Sequence, residues 1–192
     1  MKLILGSSSP ARKMLLSRLG LEFTTSSPDI DESPKANESP IQLVKRLAVE
    51  KARAVAAREP NALIISSDQV IVLNNLILGK PKSMEQATKQ LCMASSQRAI
   101  SYTSLCLFDS NTQNYQLDVE RFDVVFRKLT VDMARNYLNK ESDPLHAAGA
   151  IKAECLGPVL FDALEGKDPN ALTGLPLIKL TRMLEKSGVK II

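Results

Sequence analysis

A chain of 192 residues, 44% apolar and 24% charged, is long enough to bury a substantial core, as one large domain or as two small lobes. No run approaches the ~20 apolar residues of a membrane span, and residues 1–5 are too few for a secretory h-region, so the expectation is a cytoplasmic protein without membrane partners. A net charge of +4, aromatics at 4% and no tryptophan leave little to stack on exposed bases, which favours a small anionic ligand over a nucleic-acid groove. Cys92, Cys106 and Cys155 are odd in number, widely spaced and lack a Cys-x-x-Cys pairing, so they read as free thiols rather than a disulfide framework or zinc site.

Residues 2–5 form a short apolar strand, and Gly6-Ser7-Ser8-Ser9-Pro10 turns it into a helix with Met14, Leu15, Leu16 and Leu19 inward. Ser9 suits the N-cap and Pro10 the first helical position. Arg12 and Lys13 fall in the first turn, where the helix dipole disfavours cations. They make sense beside three hydroxyls and a glycine if an anion sits there, and a solvated basic turn fits equally well. The Gly-Lys-Ser/Thr ending of a Walker A loop is missing.

A short strand over 22–25 leads to Pro28-Asp29-Ile30-Asp31-Glu32-Ser33-Pro34, an acidic loop stiffened by prolines. Its oxygens suit Mg²⁺ or Mn²⁺, and they also suit a charged surface turn. Ser39-Pro40-Ile41-Gln42 is a capping box, so a helix starts there and runs to about Arg58. Its apolar stripe takes in Val44, Leu47, Ala48 and Val55, and Lys51 falls on it. An inward lysine needs a partner unless its stem packs and its ammonium snorkels out.

Residues 62–65 are a continuous apolar run, as in a strand buried on both faces. The run breaks at Ser66-Ser67-Asp68-Gln69 and resumes at Val70. A carboxylate between two buried strands must meet a cation or a water-filled cleft, or else cap its own turn. Ligand sites in open α/β sheets favour such strand ends. Asn74-Asn75 marks a hairpin turn returning through 76–78, and Lys80 follows on a loop stiffened by Pro81. Ser83 caps a helix to Met93 with Ala87 and Leu91 inward. Segments 99–108 and 115–126 read as an antiparallel pair. Thr130 caps a helix to about Leu138, and 146–154 is a small-residue loop in which His146, with no ligand cluster, is structural. Residues 157–164 are extended or partly helical, 169–174 form a turn, and 175–186 are an amphipathic helix stopped by Gly188.

Cations suited to phosphates, carboxylates suited to a divalent ion and one carboxylate placed to orient water are the inventory of phosphoanhydride hydrolysis. Six stretches appear in order: Ser7-x-Ser9-Pro10-x-Arg12, Asp31-Glu32 before a proline, Arg46-Leu47-Ala48-x-x-Lys51-Ala52, Ser67-Asp68-Gln69-Val70, Gly79-Lys80-Pro81 and Gly174-Leu175-Pro176. Together they resemble the Maf-like nucleoside triphosphate pyrophosphatases over nearly the whole chain. Ser67-Asp68-Gln69-Val70 and Lys152-x-Glu154 resemble the branch associated with 7-methyl-GTP.

The resemblance implies a single Maf-like α/β domain over 1–192, an elongated mixed sheet flanked by helices, akin to the inosine triphosphate pyrophosphatases, with two lobes around a central cleft. It implies a cytoplasmic homodimer acting on a small nucleotide, which splits into the monophosphate and pyrophosphate with Mg²⁺ or Mn²⁺. By motif, Asp68 is the base or water-orienting carboxylate, and Glu32 supports the metal or the water, the two being the metal ligands. Lys51 and Lys80 act on the triphosphate at the catalytic centre, and Ser7, Ser9, Arg12 and Lys13 hold it. Gln69 and Glu154 select the base. Ala11 stands at a specificity position where many members place arginine and this branch often a large aromatic, and Lys13 replaces a common second arginine. Glu154 also has a chemical rationale, since N7-methylguanine is cationic and a carboxylate favours it over neutral guanine. The alternatives are a Maf-type enzyme for dTTP, UTP or another modified base, a nucleotide-sensing regulator of cell division, and an RNA-binding module.

Overall fold

The computed structural model describes residues 1–192 and has eight strands and five α-helices. In chain order these are β1 (Lys2–Leu5), α1 (Pro10–Ser17), β2 (Thr24–Thr25), α2 (Pro40–Ala56), β3 (Ala62–Ser66), β4 (Gln69–Leu73), β5 (Leu76–Leu78), α3 (Met84–Ala94), β6 (Arg98–Asp109), β7 (Tyr115–Phe126), α4 (Val131–Lys140), β8 (Phe161–Gly166) and α5 (Leu177–Lys186). The strands form one mixed sheet in the order β2-β1-β3-β6-β4-β5, with β7 paired to β6 and β8. No helix is long and apolar enough to cross a membrane. The chain divides into two units, one of residues 1–69, 103–120 and 170–192, the other of residues 70–102 and 121–169.

In the first unit β1 runs parallel to β3, pairing Ile4 with Ile64 and Leu5 with Ile65, while β3 runs antiparallel to β6, pairing Ile65 with Leu107. Strand alternation then sorts the side chains. Leu5, Leu63, Ile65 and Leu107 pack with Leu15 and Leu16 of α1 and with Leu177, Leu180 and Leu184 of α5. Ile4, Ala62, Ile64, Cys106 and Phe108 pack with Ala48, Ala52 and Val55 of α2. Helices on both faces are why β3 lacks polar alternation. Burial pushes the Cys106 thiol up to about 12, and all three cysteines are free.

The helix starts obey local chemistry. Ser39 Oγ accepts from Gln42 N at 3.3 Å while Gln42 Oε1 accepts from Ser39 N at 2.9 Å, closing the capping box of α2. Met14 departs from expectation and is exposed. With Leu15, Leu16 and Leu19 setting the buried stripe, the 100° step back to residue 14 carries it off that face. The strand expected at 22–25 shortens to Thr24–Thr25, and α5 starts two residues late, behind Pro176.

On the outer side of α2, Arg46 donates to Glu38 through Nε (2.6 Å) and Nη2 (2.8 Å), and through Nη1 to Glu50 (2.8 Å). These bonds hold the Glu38 carboxyl down at about 2. Because the folded value lies below the unfolded one, the clasp contributes above the ordinary glutamate range and is lost as pH falls through about 2. Carbon-detected NMR titration should find the Glu38 midpoint near that value, and Arg46→Met should return it to the ordinary range.

The second unit holds the β4–β5 hairpin, pairing Ile71 with Leu78 and Leu73 with Leu76. Asn74 and Asn75 both have positive φ (49° and 65°), as a tight hairpin turn requires. α3 packs on α4, and β7 runs antiparallel to β8. Gly166 lies so close to the Phe122 ring that a Cβ would come within 2.1 Å of it. Residues 157–164, expected as extended or partly helical, are both: one short helical turn, then β8.

Candidate active site

The β3–β4 break carries Asp68 into the interior at 7% exposure. Its side chain caps no turn of its own. Lys51 Nζ donates to Asp68 Oδ1 at 2.6 Å and lies 3.0 Å from Glu32 Oε2. Lys51 is 5% exposed, so its ammonium is held against buried Asp68 instead of snorkelling outward. Ser66 Oγ donates to Ala48 O at 2.7 Å, tying α2 to β3 one turn before Lys51. Ser104 pins the Asp68 backbone, its hydroxyl accepting from Asp68 N (2.9 Å) and donating to Asp68 O (3.1 Å).

At the strand-to-helix turn, Ser7 is buried and its hydroxyl accepts from Ser9 N at 3.1 Å. Ser9 Oγ accepts from Arg12 N at 3.3 Å, so Ser9 is the N-cap. Arg12 donates through Nε to Gly174 O at 3.0 Å. Desolvation lowers its guanidinium from the ordinary value, while the negative charges of Asp68 and Glu32 pull it back up. The first unit thus gathers two cations and two carboxylates, Arg12, Lys51, Asp68 and Glu32, whose charges balance before any ligand arrives. Ala11 is half-buried, and Lys13 is exposed.

Gln69 does not hang free. Its amide Nε2 donates to Ala171 O (3.2 Å) and Leu172 O (2.9 Å). Ser67 Oγ donates to Gly174 O (2.8 Å), and Thr103 Oγ1 to Ala171 O (2.8 Å). Sequence reasoning gave no role to Ser67, Thr103, Ser104 or this turn. The only signals were a serine beside Asp68 and the Gly174-Leu175-Pro176 motif.

Lys80 and Glu154 belong to the second unit, and both are exposed. The loop before Lys80 is held at Gly79 O, which accepts from Gly149 N (3.1 Å) and Gln90 Nε2 (3.2 Å). The turn bearing Glu154 is anchored by buried Glu141, whose carboxylate accepts from Ser142 N and Leu156 N, both at 2.9 Å. Tyr137 OH accepts from Lys152 N at 3.2 Å. His146 is exposed and pairs with Asp143.

No group of three or more His, Cys, Asp or Glu side chains is placed to hold a metal ion by itself. Asp68 and Glu32 nonetheless supply hard oxygen donors facing one ammonium. Mg²⁺ is commonly held by one or two carboxylates with substrate phosphates completing the shell, and this pair fits that pattern.

The family model described as Maf-like protein matches residues 2–187. The 7-methyl-GTP pyrophosphatase of Aliivibrio fischeri is 50% identical over 191 residues, covering 100% of this chain and 98% of that protein. The 7-methyl-GTP pyrophosphatase of Nitrosococcus oceani is 51% identical over 190 residues, covering 99% and 95%. The solved structure of the Staphylococcus aureus Ham1 protein superposes with a TM-score of 0.50 at 12% identity, covering 66% of this chain and 72% of that one, which is a likeness of fold alone. A match along nearly the full length, with half the residues identical to two relatives, is decisive: the chain belongs to the Maf-like protein family.

Proposed function

We propose that the protein hydrolyses 7-methyl-GTP to 7-methyl-GMP and pyrophosphate. The observation that carries this reading is the buried Lys51–Asp68 pair, with exposed Glu32 on the same ammonium, beside the Ser7–Arg12 turn, in a chain half identical to two proteins named for that activity. Asp68 Oδ1 is held by Lys51, which leaves Oδ2 to accept a hydrogen bond from water and to aim its lone pair at the α,β-anhydride. Arg12, Lys13 and the Ser7 and Ser9 region hold the phosphates, and Lys51 and Lys80 stabilise charge as pyrophosphate departs.

Since Arg12 and Lys51 are already balanced by Asp68 and Glu32, a multiply charged triphosphate calls for further positive charge. A divalent ion, Mg²⁺ or Mn²⁺, would be held by Asp68 and Glu32 together with the substrate phosphates, and when bound it would neutralise phosphate charge.

Glu154 selects the cationic methylated base. Pyrophosphate release measured on 7-methyl-GTP, GTP, dTTP and UTP should favour the first. Glu154→Gln should lower the ratio of kcat/KM for 7-methyl-GTP over GTP by about tenfold, equivalent to ~1.4 kcal/mol of discrimination. Equal rates on GTP and 7-methyl-GTP in the parent protein would refute the substrate assignment, and an unchanged ratio in the variant would refute the role of Glu154.

A further inference from the structure

Four side chains of the first unit donate to the carbonyls of the 171–174 turn. Arg12 Nε (3.0 Å) and Ser67 Oγ (2.8 Å) share Gly174 O. Thr103 Oγ1 (2.8 Å) and Gln69 Nε2 (3.2 Å) share Ala171 O, and Gln69 Nε2 also reaches Leu172 O (2.9 Å). Gly174 has φ of 110°, a conformation that L side chains rarely adopt. A Cβ there would come within 3.2 Å of Arg12 Nε. A side chain at this position would therefore strain the backbone and press on the guanidinium that docks there.

We propose that the Gly174 carbonyl, set by Ser67 and supported by Gln69 and Thr103, is a positioning device that holds Arg12 in register with Asp68 for the triphosphate. Ser67 immediately precedes Asp68, so one oxygen ties the guanidinium to the backbone segment bearing the carboxylate. Anchoring Nε to a carbonyl restricts the long side chain before substrate binds and leaves its Nη donors for phosphate oxygens. Gln69 supports the turn, its amide nitrogen donating to two of its carbonyls.

The inference rests on the reading of Arg12 as a phosphate ligand, and a double-mutant cycle separates the two. Binding of inorganic tripolyphosphate with Mg²⁺ is measured by calorimetry for the parent, Arg12→Ala, Ser67→Ala and the double variant, with melting temperatures taken alongside. Arg12→Ala should weaken binding by about 10- to 100-fold, the range of hydrogen bonds to charged groups. Ser67→Ala should weaken it by about fivefold alone and by less than about twofold when Arg12 is already absent. Ser67→Thr, which keeps the hydroxyl, should stay near the parent.

Gly174→Ala gives a second route that does not depend on Ser67→Ala folding, and it should weaken tripolyphosphate binding only while Arg12 is present. An equal loss from Ser67→Ala with and without Arg12, or no loss in either background, would overturn the positioning role. No effect of Arg12→Ala itself would overturn the phosphate-ligand reading and the inference with it.

Discussion

Asp68→Asn should reduce pyrophosphate release from 7-methyl-GTP by about 10²- to 10⁴-fold, the range attributed to a positioned general base. The fold should survive, because an asparagine oxygen can still accept from Lys51 at the position of Oδ1 (2.6 Å) and Glu32 remains 3.0 Å from the ammonium. The Ser104 bonds are made to the residue 68 backbone and do not depend on the carboxylate. The melting temperature should therefore move by only a few degrees, and tripolyphosphate offered without a metal ion should still bind, since Arg12 and its Gly174 anchor are untouched. A coupled pyrophosphate assay with calorimetry on the same preparation checks both halves. Activity within tenfold of the parent would mean that Asp68 is a structural counter-ion for Lys51 and that the attacking water is ordered elsewhere.

Lys51→Met carries the largest expected effect on stability. The methionine fills much of the volume of the lysine stem but removes the ammonium from between Asp68 and Glu32. Asp68 is 7% exposed and loses its hydrogen-bonded cation, whereas Glu32 is exposed and can turn to solvent. Breaking a buried pair by removing one partner typically costs about 3–5 kcal/mol, because the remaining charge is left desolvated. At ~2–4 °C per kcal/mol for a chain of this size, the melting temperature should fall by about 10 °C. Activity should fall with it by at least about 100-fold, as the same ammonium stabilises phosphate charge. Adding Asp68→Asn to Lys51→Met should restore several degrees by removing the uncompensated charge. A double variant no more stable than Lys51→Met alone would show that Lys51 contributes through packing and not through its pair with Asp68.

Much of the molecule is readable from short-range rules. The capping box at Ser39 and Gln42, the Ser9-Pro10 start of α1 and the Asn74-Asn75 hairpin are decided within a few residues, because the groups that satisfy one another are already neighbours in the chain. Lys51 is legible as an inward lysine because a helix turns 100° per residue, which places position 51 on the stripe of Val44 and Val55. That it must have a partner follows from the cost of burying a charge. Met14 shows the limit of such counting: a run of apolar residues longer than the buried face cannot all point inward.

The amino-acid order alone determined the α/β class, the buried strand that leads into Asp68, the cations of the first turn of α1 and membership of the Maf-like family. Those features are local, or are carried by residue identity in series, and neither depends on which distant segments meet. Tertiary structure alone decided that Lys51 pairs with both Asp68 and Glu32, that Ser104 pins the Asp68 backbone, and that Arg12 docks on Gly174, 162 residues away. It also turned Gln69 toward the 171–172 carbonyls. A hydrogen bond acts only across a few ångströms, so which donor finds which carbonyl is set when strands β1, β3 and β6 pair and α5 closes over them, and no spacing along the chain encodes that meeting.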